Sequence, residues 1–332
     1  MSSPSLAAPA PPPVPSRSRW RDSLLIGSLA ALVLAGLAGL AAATGWEEVM
    51  RQLRGLGPVQ IGALLALSLV NYFARGLRWH VFARRLGLST GFGQNLRHFL
   101  GGFAMSVTPA RVGELIRMRW LRRETGWPVE RTAPLALVDR AADLAAMALI
   151  LALALAFAAS GIAFALPVVI FALGAAWIAT RPRLLAALVT LAYRATGLVP
   201  RMMGRARSAA RSLGRFSTLP VATGAMALGL IGWAAEGYAL HLLLMWMGAD
   251  IGLAKAVAIF TFSTLAGGLT GAPGGLGGAE AAMIALLTLE GVPLEVSVPA
   301  TAIIRVTTLW FAIAIGLIVF PMAERASLKG TA

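Results

Sequence analysis

The chain has 332 residues, of which 58% are hydrophobic and only 13% charged, and its mean hydropathy is +0.76. That balance excludes an ordinary soluble domain and points to a polytopic α-helical membrane protein, because apolar runs near twenty residues cross a hydrocarbon core of about 30 Å. The formal net charge of +15 comes almost wholly from arginines between apolar runs, which reads as membrane topology and not as nucleic-acid binding, and the lack of cysteine excludes disulfide and thiolate chemistry.

In chain order, residues 1–19 form a Pro-rich tail expected to be disordered and cytoplasmic. Arg17, Arg19 and Arg21 then precede a first span at 23–43, read as uncleaved although Ala41-Ala42-Ala43 resembles a signal-peptidase site. Further spans are expected near 58–76, 132–157, 162–180, 219–247 and 297–320. Arginine placement orients them, with both termini cytoplasmic. Arg75, Arg78, Arg84 and Arg85 return the chain to the cytoplasm, and Trp79 joins them as an interfacial belt residue.

Residues 92–116 are apolar but interrupted by Arg97, His98, Pro109 and Arg111, and the basic run from Arg117 to Arg123 follows them. Both flanks lie on one side, which predicts a re-entrant hairpin entering from the cytoplasm and turning near Pro109. A basic amphipathic linker at 181–216 carries arginines and no acid. Residues 253–291 carry no basic cluster and form a second hairpin, entering from outside and turning at Pro273. The expected fold is all-α, with about six full transmembrane helices plus two re-entrant helical hairpins. Repeat one spans about 58–157 and repeat two about 219–320, inside a single membrane domain at 20–322, with a cytoplasmic tail at 323–332. From Pro109 to Arg140 is 31 residues, and from Pro273 to Arg305 is 32. Matching broken segments of opposite entry form an inverted-topology repeat, the pattern that builds a midplane binding site in transporters.

Candidate binding residues follow from that repeat. Arg111, Gly113, Glu114 and Arg117 sit at the first turn, where a guanidinium suits a phosphate and a glycine admits close backbone approach. A salt bridge with snorkelling arginines is the structural alternative. Asp139, Arg140 and Asp143 lie within an apolar span, where charge is costly unless it meets partners or water. Gly274, Gly275 and Gly277 open a helix whose positive end favours an anion, with Glu280 close by. Tight helix packing through small residues would use the same glycines. No Lys-Ser/Thr follows them, so this is not a nucleotide loop. Arg305 needs a counter-charge, for which Glu280 and Glu236 are candidates, and Glu236 could equally pair with Lys255. The three histidines are scattered, so no metal, cofactor or catalytic residue is expected.

Arg75-Gly-Leu-Arg78-Trp79, Pro109-Ala-Arg111-Val-Gly113-Glu114, Asp139-Arg140-Ala-Ala-Asp143 and Pro273-Gly-Gly-Leu-Gly277, with Glu280 and Arg305, resemble the lysylphosphatidylglycerol synthetase transmembrane-region (flippase-like) family. The similarity covers about residues 20–322. The resemblance implies a lipid-translocating unit of a bacterial inner membrane, acting on a phospholipid, aminoacyl-lipid or glycolipid with an anionic or zwitterionic headgroup. Bifunctional members add a soluble synthase domain; the chain stops at residue 332, so that activity is not expected of it. A membrane enzyme or accessory subunit acting on lipid-linked substrates is the alternative, and a homo-oligomer or a lipid-modifying partner enzyme stays open.

Overall fold

The computed structural model describes residues 46–106, 108, 113–157, 167, 170, 173–174, 216, 218–270 and 272–329. The predicted span at 23–43, the N-terminal tail, most of 162–180 and all of the basic linker but Phe216 lie outside them. Among the described residues there are helices and turns and no strand.

A short α1 (Trp46–Gly55) leads into α2 (Pro58–Leu86). Pro58 starts α2 because the first turn needs no N–H, and the Gln60 side chain returns to the Gly57 amide. Gly87 ends it in the left-handed conformation at φ 99°, which lets Leu88 N donate to Ala83 O at 3.0 Å. The helix therefore runs ten residues past the predicted end at 76. Then come α3 (Phe92–Gly101), tightening into a 3-10 turn at Gly102–Met105, α4 (Gly113–Thr125) and α5 (Val129–Phe157). The second half holds α6 (Leu219–Trp246), α7 (Leu253–Leu269), a 3-10 turn at Pro273–Gly275, α8 (Gly278–Leu289) and α9 (Leu294–Arg305). A π-helical turn at Val306–Trp310 joins α9 to α10 (Phe311–Lys329).

Among the described residues, three helical segments are long and apolar enough to cross a membrane: Pro58–Leu86, Leu219–Trp246 and Leu294–Lys329. α5 has the same 29 residues as α2 but carries Asp139, Arg140 and Asp143 near its middle. By contrast α7 and α8, at 17 and 12 residues, reach only about 26 Å and about 18 Å, short of a hydrocarbon core of about 30 Å. They fold back on each other at Pro273–Gly275, where the glycine-rich sequence predicts the turn. The corresponding turn between α3 and α4, with Pro109 and Arg111, lies outside the described residues.

α2 and α6 form the most extensive helix pair, and Gly232 lets them approach: a Cβ there would sit 3.3–3.5 Å from Asn71 atoms. The two halves pack on each other, α3 on α10 and α7 on α5. The residues expected as a C-terminal tail from 323 belong to α10 instead, with Ala323, Glu324 and Ser327 buried. Glu324 accepts from Trp120 Nε1 at 2.7 Å and Arg119 Nη2 at 2.8 Å, and also from Arg123, which ties α4 to α10.

Two apolar cores sit at opposite ends of the long helices. One gathers Leu64, Leu151, Leu240, Ile259 and Ile303; the other gathers Trp79, Phe82, Leu86, Leu135 and Val221. α2 passes from the first core to the second, α5 and α6 from the second to the first. Between the cores each crosses a layer of buried polar side chains.

Candidate functional site

The polar layer begins with two arginines that the sequence reading assigned to the membrane interface. Arg75 and Arg78 are buried, because α2 continues as helix through them and turns both toward α5. Arg78, fully enclosed, gives Nε and Nη2 to Asp139 Oδ1 at 3.0 and 2.7 Å, and Nη2 also reaches Asp143 Oδ1 at 2.6 Å. Arg75 Nη2 meets Asp143 Oδ2 at 2.8 Å. Arg140 lies 3.3 Å from Asp143 and 3.6 Å from Asp139, and Trp233 Nε1 donates to Asp143 Oδ1 at 3.1 Å. Three guanidiniums and an indole thus share two carboxylates one turn apart on α5. Burying such charge is tolerable only with this degree of pairing. Trp79 is buried in the apolar core and is not an interfacial belt residue.

The second half contributes a separate pair. Arg305, last residue of α9, gives Nε to Glu280 Oε1 at 2.5 Å and Nη2 to the Gly274 carbonyl at 3.0 Å. Glu280 is therefore the counter-charge of Arg305. Glu236 is not, and Lys255 pairs with Glu290 at 2.5 Å, so both proposed partners of Glu236 are taken. Gly274 and Gly275 take left-handed φ of 62° and 70°, which a side chain would strain, and a Cβ on Gly275 would press on the Gly267 backbone at 3.1–3.3 Å. Gly277 at φ 80° shapes the same turn, is exposed with open space around it, and does not line the cavity described below.

Arg117 departs furthest from its expected place in a cytoplasmic basic run. It is buried, donates Nη2 to the Phe99 carbonyl at 2.9 Å, and lies against the Phe99, Trp79 and Phe103 rings at 4.4, 5.2 and 5.9 Å. Gly102 makes this possible, since a Cβ there would overlap Arg117 Nε. Arg111 lies outside the described residues. Gly113 begins α4, and Glu114 follows it in the same helix.

These groups converge on a cavity of about 130 Å³. Arg75, Arg117, Arg140 and Arg305 line it together with Glu236; Tyr72, Ser106, Thr264 and Thr308 add hydroxyls, and Gly274 adds backbone. Asp139 stands behind Arg78, and neither lines it. Several waters or one small anionic headgroup fit in such a volume. Arg75 Nε, Asn71 Nδ2 and Glu280 Oε2 are buried without a hydrogen-bond partner, which marks the layer as unfinished by protein alone. Asp143 lies at the midpoint of α5, and Tyr72 and Trp233 at or next to those of α2 and α6, so the cavity sits at mid-length of three long helices.

Of the residues singled out from sequence, the structure brings Arg117, Arg140, Gly274 and Arg305 to the cavity, with Asp143 and Glu280 paired behind it; Arg75, Tyr72, Trp233 and the hydroxyls also line it and were not named as binding residues. The available signal was spacing: Arg75 and Arg78 are three apart and Asp139 and Asp143 four apart, so each pair shares one helix face.

A family model described as the lysylphosphatidylglycerol synthase TM region matches residues 24–316. Two curated relatives, each described as a UPF0104 membrane protein of Methanothermobacter thermautotrophicus, are similar over shorter segments. One is 31% identical over 108 residues, 32% of this chain and 31% of the relative; the other is 33% identical over 89 residues, 27% of this chain and 26% of the relative. The chain thus spans about a third or less of the length of the relatives it matches.

Proposed function

The chain belongs to the lysylphosphatidylglycerol synthase transmembrane-region family, and from that premise we infer that it is a lipid transporter, a flippase or scramblase, and not an enzyme. The observation that carries this reading is the arginine-lined cavity midway between the two apolar cores. Four guanidiniums around one small space suit a phosphate, and arginine binds that group with two parallel N–H donors. The lipid's tails stay in the bilayer while the headgroup occupies the cavity. The reciprocal packing of α3 on α10 and α7 on α5 supports two re-entrant hairpins in inverted repeats, whose rocking exposes the cavity to alternate faces. This reading puts the protein in the bacterial inner membrane with both termini cytoplasmic, and takes membrane lipids with anionic or zwitterionic headgroups as its partners.

Reconstitution tests it. Purified protein in liposomes should accelerate leaflet exchange of fluorescent phosphatidylglycerol. Arg140→Gln should slow that exchange by about ten- to a hundredfold, the loss of a charged hydrogen-bond donor worth roughly 1.5–3 kcal/mol. The fold should survive, because Arg75 and Arg78 still hold Asp139 and Asp143. No acceleration by folded protein, across anionic, aminoacylated and glycosylated lipids, would remove the transporter reading; a chemically altered lipid recovered from the same vesicles would replace it with an enzyme.

A further inference from the structure

Among the described residues Glu236 is the one carboxylate that lines the cavity, at 5% exposure and near the middle of α6. The other buried acids of the layer are engaged: Asp139 and Asp143 by Arg75, Arg78 and Arg140, and Glu280 by Arg305. Among the described residues Glu236 makes no hydrogen bond or ion pair, though the charges of Arg75, Arg305 and Asp143 act on it. The charged and titratable groups facing it come from every packed element. α2 brings Tyr72 and Arg75, with Arg78 behind them; α5 brings Arg140, with Asp139 and Asp143 behind it; α9 brings Arg305 with Glu280 of α8 behind it; α4 brings Arg117. α7 walls the cavity with Phe260 and Thr264, and its one charge, Lys255, is held away by Glu290.

A carboxylate without a partner is costly in a membrane interior, and a phosphate entering the same small cavity sets a second negative charge beside it. The arginines cannot relieve that repulsion, because a guanidinium does not give up its proton. Nor can Tyr72, whose hydroxyl donates to the Thr308 carbonyl. Only Glu236 among the lining groups can change charge to admit the anion. Resting on the headgroup-anion reading above, we propose that Glu236 is the proton site of the cavity, taking up one proton from water when the headgroup phosphate binds and returning it when the phosphate leaves. The step is a carboxylate plus a proton giving a carboxylic acid, with no electron transferred. With access alternating between faces, lipid and proton cross together, and a proton gradient drives the lipid.

The test uses the full chain purified in detergent and glycerophosphoglycerol, a phosphodiester whose single negative charge does not titrate near neutrality. Calorimetry in two buffers of different protonation heat counts protons. Wild type should take up about one proton per ligand, and its affinity should fall about tenfold per pH unit above the Glu236 transition. Glu236→Gln should take up none and bind at all pH values at least as tightly as wild type does at low pH. Binding by wild type without proton uptake at any pH, or uptake surviving in Glu236→Gln, overturns the proton role and leaves the anion site standing. Glycerophosphoethanolamine binding more tightly than glycerophosphoglycerol, with that preference lost in Glu236→Gln, also overturns it, by making the carboxylate an ammonium partner. No binding of either ligand to folded wild type overturns the headgroup site itself and the proton role with it.

Discussion

Arg78 and Arg140 hold the same two carboxylates but stand in different surroundings. Arg78 is wholly enclosed, whereas the Arg140 side chain is 28% exposed toward the cavity. Removing the enclosed partner leaves Asp139 without its closest cation and Asp143 with only part of its pairing. Arg78→Met should therefore cost about 3–5 kcal/mol and lower the thermal unfolding temperature in detergent sharply, where Arg140→Gln barely moves it. Equal melting of the two variants would mean that Arg78 is not a structural pivot. The asymmetry also explains what could be read from sequence. Asp139 and Asp143 interrupt an apolar run and are conspicuous there. Arg75 and Arg78 stand eight to eleven residues before the end of α2, near Arg84 and Arg85, and by charge counting they are indistinguishable from residues at a membrane interface. Only the continuation of α2 to Gly87 separates the two groups.

Among elements, glycines decide how closely the two halves meet. A Cβ on Gly316 of α10 would overlap the Ala104 amide nitrogen and crowd Phe103, so α10 presses directly on the backbone of the 3-10 turn after α3. Gly316→Val forces these apart at a cost of roughly 1–3 kcal/mol. It should lower both thermal stability and lipid exchange, whereas Gly93→Ala, on the exposed face of α3 with open space and no positive φ, should reduce exchange much less. Gly102→Ala is the local counterpart. Its Cβ displaces Arg117 from the Phe99 carbonyl, and exchange should fall as it does for Arg117→Gln. Comparable rates for Gly102→Ala and wild type would separate the position of Arg117 from transport. The α7–α8 hairpin was legible because proline and glycine punctuate it. α4 was less so, since alternating Arg117, Arg119, Arg122 and Arg123 hides a helix that buries Met118, Trp120 and Leu121.

For the whole molecule the proposal to test is inversion of the two hairpins, which arginine placement predicts. The chain has no cysteine, so single reporters need no prior deletions. Thr108→Cys and Leu276→Cys, one beside each turn, should react with a membrane-impermeant maleimide from opposite faces of oriented vesicles. Reaction from the same face would reduce the inverted repeat to a parallel one. The all-helical membrane character was legible because long apolar runs fix it by composition and length alone. The cavity was not, because its walls come from seven α-helices that no local pattern brings together.

The π turn at Val306–Trp310 gives the path from α9 to α10 one residue more than an α-helix of the same length would need. An α-helix advances about 100° per residue, so that surplus sets the azimuth of everything downstream. Deleting one residue there would leave Arg305 in place and swing α10 about a third of a turn, carrying Gly316 off Ala104 and Glu324 away from Trp120. The Tyr72 hydroxyl, bound to a carbonyl inside that turn, acts as the pin of a coupling. It lets the arginine-lined cavity and the α4 clamp, at opposite ends of one continuous rod, be aimed independently.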